Sequence, residues 1–246
     1  MKPGLSKPRD IASLKSRLAS VRLKGAETSV TARARKLLLV YLEAAEGHGM
    51  PFQDLVREMR SGLPAVRIAG MALQQIADRP DGPLASAACA AGCAFCCILS
   101  GQDGGTVSEA EARQMHGALA PLAGKPDGRD WHPRACAALD PLTRTCRAYD
   151  ARPLICRTYI STDVAACAKI AEGIPAAGAG VVGAQGLMLA AVSLSRAALD
   201  GVSQVASYSL ARITAGASRG EDLASCLRAA RQPPRALEDE RRRFGG

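Results

Sequence analysis

The distribution of cysteine constrains this chain more than any other feature. Eight of its nine cysteines fall between positions 89 and 167 of a 246-residue sequence. The first four are packed as Cys89-Ala-Ala-Gly-Cys93-Ala-Phe-Cys96-Cys97. The later four, Cys136, Cys146, Cys156 and Cys167, follow at spacings of ten, ten and eleven. A free cysteine is often no more than a small buried hydrophobe, but four in nine residues with four more downstream exceed what packing requires. A Cys-x-x-Cys turn folds the backbone so that two thiolates converge on one metal ion, and Gly92 supplies the backbone freedom for it. Adjacent Cys96 and Cys97 are expected to point in different directions, so that they serve two metals or one of them holds the loop.

An odd cysteine count, with no recognisable secretory signal in the sequence, points to a reducing, cytoplasmic setting where thiols stay free for metal. Soft thiolates suit zinc and iron–sulfur clusters alike. Ligation by cysteine alone, with thiols to spare, favours [4Fe–4S], whose usual ligand set is four cysteine thiolates. Structural zinc commonly uses two Cys-x-x-Cys pairs or adds histidine. Only one such pair exists here, and His132, four residues before Cys136, is the histidine near the cluster. Zinc stays open as the alternative.

The order of these residues, Cys89-x3-Cys93-x2-Cys96-Cys97, then Cys136-Ala-Ala-Leu139-Asp140, then Cys146-Arg-Ala-Tyr149-Asp150-Ala-Arg152-Pro153-Leu-Ile-Cys156-Arg157, resembles the YkgJ-type cysteine-cluster family. That family has a CxxCxxCC core and a C-x-x-Y-x-x-R-P-x-x-C-R segment. The similarity covers residues 89–160, under a third of the chain, and departs from the pattern in placing three residues between Cys89 and Cys93. It implies a zinc- or iron-chelating domain, iron–sulfur in at least some members, and a relation to the cysteine domain of flagellin lysine N-methylases. It assigns no activity. The candidate ligands are Cys89, Cys93, Cys96, Cys97, Cys136, Cys146, Cys156 and Cys167, with Cys93, Cys96, Cys97, Cys146 and Cys156 foremost. Pro153 forces Arg152 out of helical angles, which predicts a turn with Tyr149 and Cys156 on opposite sides. Arg157 is a candidate cofactor-binding residue, offsetting thiolate charge or hydrogen-bonding an anion; pairing with Asp150 or Asp163 is the plain alternative.

The rest of the chain reads as scaffold. Its apolar content comes from Ala, Leu and Val, with 3% aromatic residues, a composition that favours close-packed helices over a broad sheet. The expected fold is therefore mainly α, a helical scaffold around a central cysteine-rich metal-binding loop region. Residues 1–84 form a basic helical region with apolar spacings at Ile11, Leu14, Leu18 and Val21, at 31–45, at Phe52, Leu55, Val56 and Met59, and at Val66, Ala69, Leu73 and Ile76. Residues 85–170 are the cysteine region, in which Ser108-x-x-Glu111 is a capping box opening a helix towards Leu119. Residues 171–232 are an Ala/Gly-rich helical region packing on it, with helices expected at 187–199, 205–213 and 221–230 and Cys226 in the core. Residues 233–246 are a frayed charged tail. The uncharged run Gly173–Ser195 is long enough to span a bilayer but is diluted by glycine and Pro175, and a buried helix is the better reading. Gly178-x-Gly180-x-x-Gly183 formally matches a dinucleotide fingerprint, yet lacks the preceding buried strand.

Residues 1–40 hold ten Lys/Arg against two acids, which is most of the net charge of +9. This basic arm suits an acidic partner or a solvated helix face, and the scarcity of aromatics argues against nucleic acid. Three functional readings follow: a cluster-dependent redox or group-transfer enzyme, an electron-transfer or metal-handling protein with an unknown redox or protein partner, and a zinc-stapled interaction module. No strand–glycine–helix pattern for S-adenosylmethionine is present, which counts against a conventional methyltransferase.

Overall fold

The computed structural model describes residues 7–98 and 103–245; the first six residues of the basic arm lie outside them. Helices α1 (Ile11–Ser20), α2 (Ser29–Gly47), α3 (Phe52–Ser61) and α4 (Leu63–Ala77) form where the apolar spacing predicts them. Asp10 and Thr28 accept from the amides of Ser13 and Thr31, satisfying free N–H groups at the starts of α1 and α2. Gly62, at φ 80°, ends α3 in the left-handed conformation and turns the chain into α4.

The remaining helices are α5 (Glu109–Leu119), α6 (Gly128–Trp131), α7 (Leu154–Thr158), α8 (Val164–Ala171), α9 (Ala184–Ala198), α10 (Leu210–Ser218), α11 (Leu223–Ala230) and α12 (Pro234–Arg243). Strands are few and short. β1 (Thr106–Val107) pairs antiparallel with β4 (Tyr208–Ser209), and β2 (Tyr159–Ser161) pairs antiparallel with β3 (Ala179–Val181). The protein is mainly α, as its composition predicts.

The uncharged run provides the hub. Thirteen of the fifteen residues of α9 are buried, packed among α1, α2, α4 and α12. Each fully covered leucine there contributes about 1.5–3 kcal/mol by leaving water. Among the described residues no helix is long and apolar enough to cross a membrane. A second core joins α5, α10 and α11 through Met115, Leu119, Ile213 and Cys226, and the half-buried Cys136, Cys146 and Cys156 pack against it. Cys226, 1% exposed, is a core residue. The glycine fingerprint lies in and after the β2–β3 hairpin; both described sheets are two-stranded and antiparallel, so it opens no dinucleotide fold.

Two expectations need correction. The charged carboxy-terminal segment is not frayed: α12 buries Leu237 and Arg241. Arg241 Nη2 donates to Lys24 O at 2.8 Å, and the Phe244 carbonyl sits 2.5 Å from where a Cβ on Gly186 would be. The helix expected from Val205 begins only at Leu210, because the preceding residues give their backbone bonds to β1 and its neighbours, including Leu210 N to Gly105 O at 3.1 Å. Part of the basic arm is spent inside the fold. Arg35 pairs with Glu27 at 2.9 Å and donates to Leu18 O, and Lys15 pairs with Glu46 at 2.9 Å.

Candidate metal centre

The cysteine loops are built by tight turns and tied to one another through backbone bonds. Gly92, at φ 81°, makes the turn in which Cys93 N donates to Ala90 O at 3.0 Å. Phe95–Cys97 then form one 3-10 turn. Cys97 O accepts from Cys136 N at 2.9 Å, and Ile98 bridges Ala135 antiparallel, so the first and second cysteine segments lie side by side. Cys146 bridges Leu139, with the turn between them closed by Asp140 N donating to Thr145 O at 2.9 Å. Pro153 ends the Tyr149–Ala151 turn and starts α7, which carries Cys156. Tyr149 is exposed and Cys156 half-buried, in keeping with the turn expected there.

The scaffold grips each segment separately. Cys136 Sγ lies 3.7 Å from Thr214 Oγ1 on α10. Asp127, capping α6, accepts from Arg129 and from Ser218 Oγ at 2.6 Å, which ties the Cys136 segment to the end of α10. Arg147 donates to Pro126 O and Ala137 O, both at 3.0 Å. The buried Glu111 accepts from Ser108 N and Oγ, both at 2.9 Å, in the predicted capping box, and its other oxygen accepts from Leu154 N at 2.8 Å. That carboxylate therefore caps both α5 and the helix bearing Cys156.

Electrostatic coupling groups the thiols. Cys96, Cys97, Cys136, Cys146 and Cys156 form an inner set, in which a charge on one raises the cost of charging the next: Cys156 is pushed up first by burial and then by Cys136, Cys146 and Cys96. Cys93 is pushed up first by burial and then by Cys96, Cys167 and Cys89, which joins it both to the inner set and to Cys89 and Cys167. Cys89 Sγ lies 3.9 Å from Ser161 O on β2. Within the inner set, Cys96 is held below the ordinary thiol range by a hydrogen bond from Cys97, against the effect of burial, while Cys97 is pushed up by the same bond. Burial also raises Cys136 and Cys146. Cys96 and Cys97 are consecutive residues of the single 3-10 turn Phe95–Cys97.

One participant escaped the sequence reading. The charge of Arg152 lowers Cys96, Cys146 and Cys156, whereas Arg157 is exposed and its charge bears on Glu111. The signals for Arg152 were its place before Pro153 and in the R-P step of the family segment, and neither marks it as the cation acting on the thiols. His132 Nδ1 accepts from Arg134 N at 3.1 Å, and His116 Nε2 is 2.8 Å from Glu221 O.

Among the described residues no three His, Cys, Asp or Glu side chains already converge as a finished coordination set. The chemistry of the donors nevertheless fits a thiophilic metal. All nine cysteines are free, and soft thiolates suit zinc and iron alike. No curated protein and no solved structure matches the chain. Residues 88–173, about a third of the chain, match the family model CxxCxxCC, described as a "putative zinc- or iron-chelating domain". The cysteine segment of this chain is therefore similar to the zinc- or iron-chelating domains that this model describes.

Proposed function

We propose that the inner thiols hold an iron–sulfur cluster of the [4Fe–4S] type and that the protein works as a redox metal-centre protein. The observation that supports this reading most is the make-up of the inner set. It offers five cysteine thiols, one more than the four such a cluster takes, while His116 and His132 are both engaged with backbone groups. Structural zinc would more often use paired Cys-x-x-Cys turns or histidine. Bound there, a cluster supplies one-electron redox chemistry. The chain's own residues do the rest. Cys96, Cys97, Cys136, Cys146 and Cys156 are the ligand pool, and Arg152 offsets thiolate charge. Thr214 is placed to hydrogen-bond the Cys136 sulfur, a contact of the kind that tunes a cluster's potential. Cys89, Cys93 and Cys167 form a reserve beside them.

The test is iron, zinc and acid-labile sulfide in protein purified without oxygen, read with the visible spectrum, for the parent chain and Cys96→Ser. Iron with matching sulfide and a brown, reductant-bleachable band in the parent, lost in Cys96→Ser, is the expected result. Stoichiometric zinc without sulfide overturns the iron reading and leaves a zinc-stapled module. Full iron and an unchanged spectrum in Cys96→Ser refute the ligand assignment.

A further inference from the structure

Four of the seven large apolar side chains exposed among the described residues, Leu142, Tyr149, Val164 and Ile174, lie on the stretch carrying the later cysteines or immediately after it. Leu142 is the extreme case, 91% exposed, and it is held outward by a braced turn. Asp140 Oδ1 accepts from Leu142 N at 3.0 Å, Thr143 N at 2.8 Å and Thr143 Oγ1 at 3.1 Å. Arg144 N donates back to Asp140 O at 2.9 Å, and Arg144 takes the left-handed φ of 55° that closes the turn. A leucine on a loose loop can fold back onto the surface; this one cannot. The turn stands against the first cysteine loop, since a Cβ on Gly92 would lie 3.6 Å from Thr143 O.

Tyr149 is 60% exposed, with the Arg152 guanidinium 3.6 Å from its ring centroid. That same guanidinium acts on Cys96, Cys146 and Cys156. Leu142, in the turn closed by the Leu139–Cys146 bridge, and Tyr149, three residues past Cys146, therefore flank Cys146 along the chain. Of the charged groups on this stretch, Arg144 and Arg157 are exposed and Arg152 is stacked, against the exposed acids Asp150 and Asp163, while the Asp140 carboxylate is occupied inside its turn. An apolar pair framed by arginines beside a candidate metal ligand is complementary to an acidic protein surface with an apolar recess.

We propose that this face docks an acidic electron-carrier protein, Leu142 and Tyr149 filling its recess and Arg144, Arg152 and Arg157 meeting its carboxylates. The inference rests on the iron reading above: one electron leaves the reduced carrier and enters the thiolate-held iron, and no covalent bond forms or breaks.

The probe is a purified acidic plant-type ferredoxin, titrated by calorimetry at low salt into anaerobically purified protein. The variants are Leu142→Ser, Arg144→Asn (asparagine tolerates the left-handed turn) and, on the exposed face of α2, Val40→Ser. The parent and Val40→Ser bind alike. Leu142→Ser and Arg144→Asn bind about tenfold more weakly with unchanged iron content, and added salt weakens the parent's binding. Equal binding by Leu142→Ser, or none by the parent, overturns the proposal. So does self-association of the parent that Leu142→Ser abolishes, which would assign the face to a second copy. Dithionite separates the two readings. If it bleaches the protein but ferredoxin neither binds nor reduces it, the docking face alone falls; if the protein holds no iron, the carrier has nothing to reduce and both readings fall.

Discussion

Replacing Glu111 is the sharpest test of how the scaffold holds the cysteine region. Its side chain is buried, and its two oxygens take three hydrogen bonds, from Ser108 N, Ser108 Oγ and Leu154 N. In Glu111→Ala the serine hydroxyl can turn elsewhere, but two backbone N–H groups lose their acceptor. Each buried unsatisfied donor costs about 1–3 kcal/mol. Against this stands relief of the carboxylate's own burial, which holds its pKa above the usual carboxylate range despite those bonds. We expect a net loss of about 2–4 kcal/mol, which for a chain of this size lowers Tm by roughly 4–16 °C. Glu111→Gln keeps one acceptor but turns an amide donor towards an N–H, so it falls between the parent and Glu111→Ala. The assay is a thermal melt under reducing conditions with a metal chelator, so that lost metal does not enter the difference. Hydrogen exchange at Leu154–Thr158 is followed in parallel, because the freed Leu154 amide opens the helix that carries Cys156. A Glu111→Ala melt within about 2 °C of the parent, or unchanged protection in that helix, would refute the reasoning, since the shared cap would then hold nothing.

Two further predictions use other grips on the same region. A Cβ on Gly128 would lie 2.3 Å from Cys136 O and 2.8 Å from Leu139 Cβ, and no rotamer relieves a clash with a carbonyl, so Gly128→Ala displaces the Cys136 segment. We expect clearly reduced metal content with near-parent helicity by circular dichroism; full metal content would show that the segment yields freely. Asp127 supplies a pH signature. Burial opposes its ionisation, but Arg129 and Ser218 outweigh it and hold the carboxyl well below its ordinary 3.8. The folded protein therefore binds this proton less readily than the unfolded chain. The stabilisation is fully present above about pH 4 and is lost as the pH falls through the folded value. Urea unfolding of the parent and Asp127→Asn should differ at pH 6, and the difference should shrink steadily as the pH falls below about 4; a constant difference would exclude this carboxylate as the source.

Elements whose partners are close in sequence were the legible ones. Helices α1 to α4 announced themselves through apolar spacing, and α5 through the Ser108 capping box. Helix α12 did not, because Arg241-Arg242-Arg243 reads as a solvated run until Lys24 O, 217 residues away, accepts from Arg241. The segment from Val205 was misread for the same reason: its helix-like spacing is overruled by pairing with two residues of β1. The thiols themselves could be named because cysteine carries its chemistry with it. Their grouping could not, since it depends on where α7, α8 and β2 bring Cys156, Cys167 and Ser161. Nor does any pattern tell Arg152 from Arg157 as the cation facing the thiols; both flank the same Pro-to-Cys step, and only the folded turn chooses.

The separate grips on the thiols lead to a last prediction. Cys136 is held through α10, Cys156 through Glu111 and α5, and Cys89 through Ser161 on β2, while no disulfide links any described cysteine. A bound metal would then be the one covalent-like tie among these segments, and it stabilises the fold to the extent that it prefers the folded state. Ligand present at a thousandfold over its Kd stabilises such a state by about 4 kcal/mol, and stripping it should lower Tm by roughly 8–16 °C. The loss should also be local. α9 is anchored by apolar contacts that owe nothing to the thiols, so hydrogen exchange after chelation should accelerate across residues 88–157 and leave 184–198 protected. An unchanged melt after complete metal removal would show that the thiols contribute no tie. Simultaneous loss of protection in α9 would show that the hub, contrary to its packing, depends on the metal.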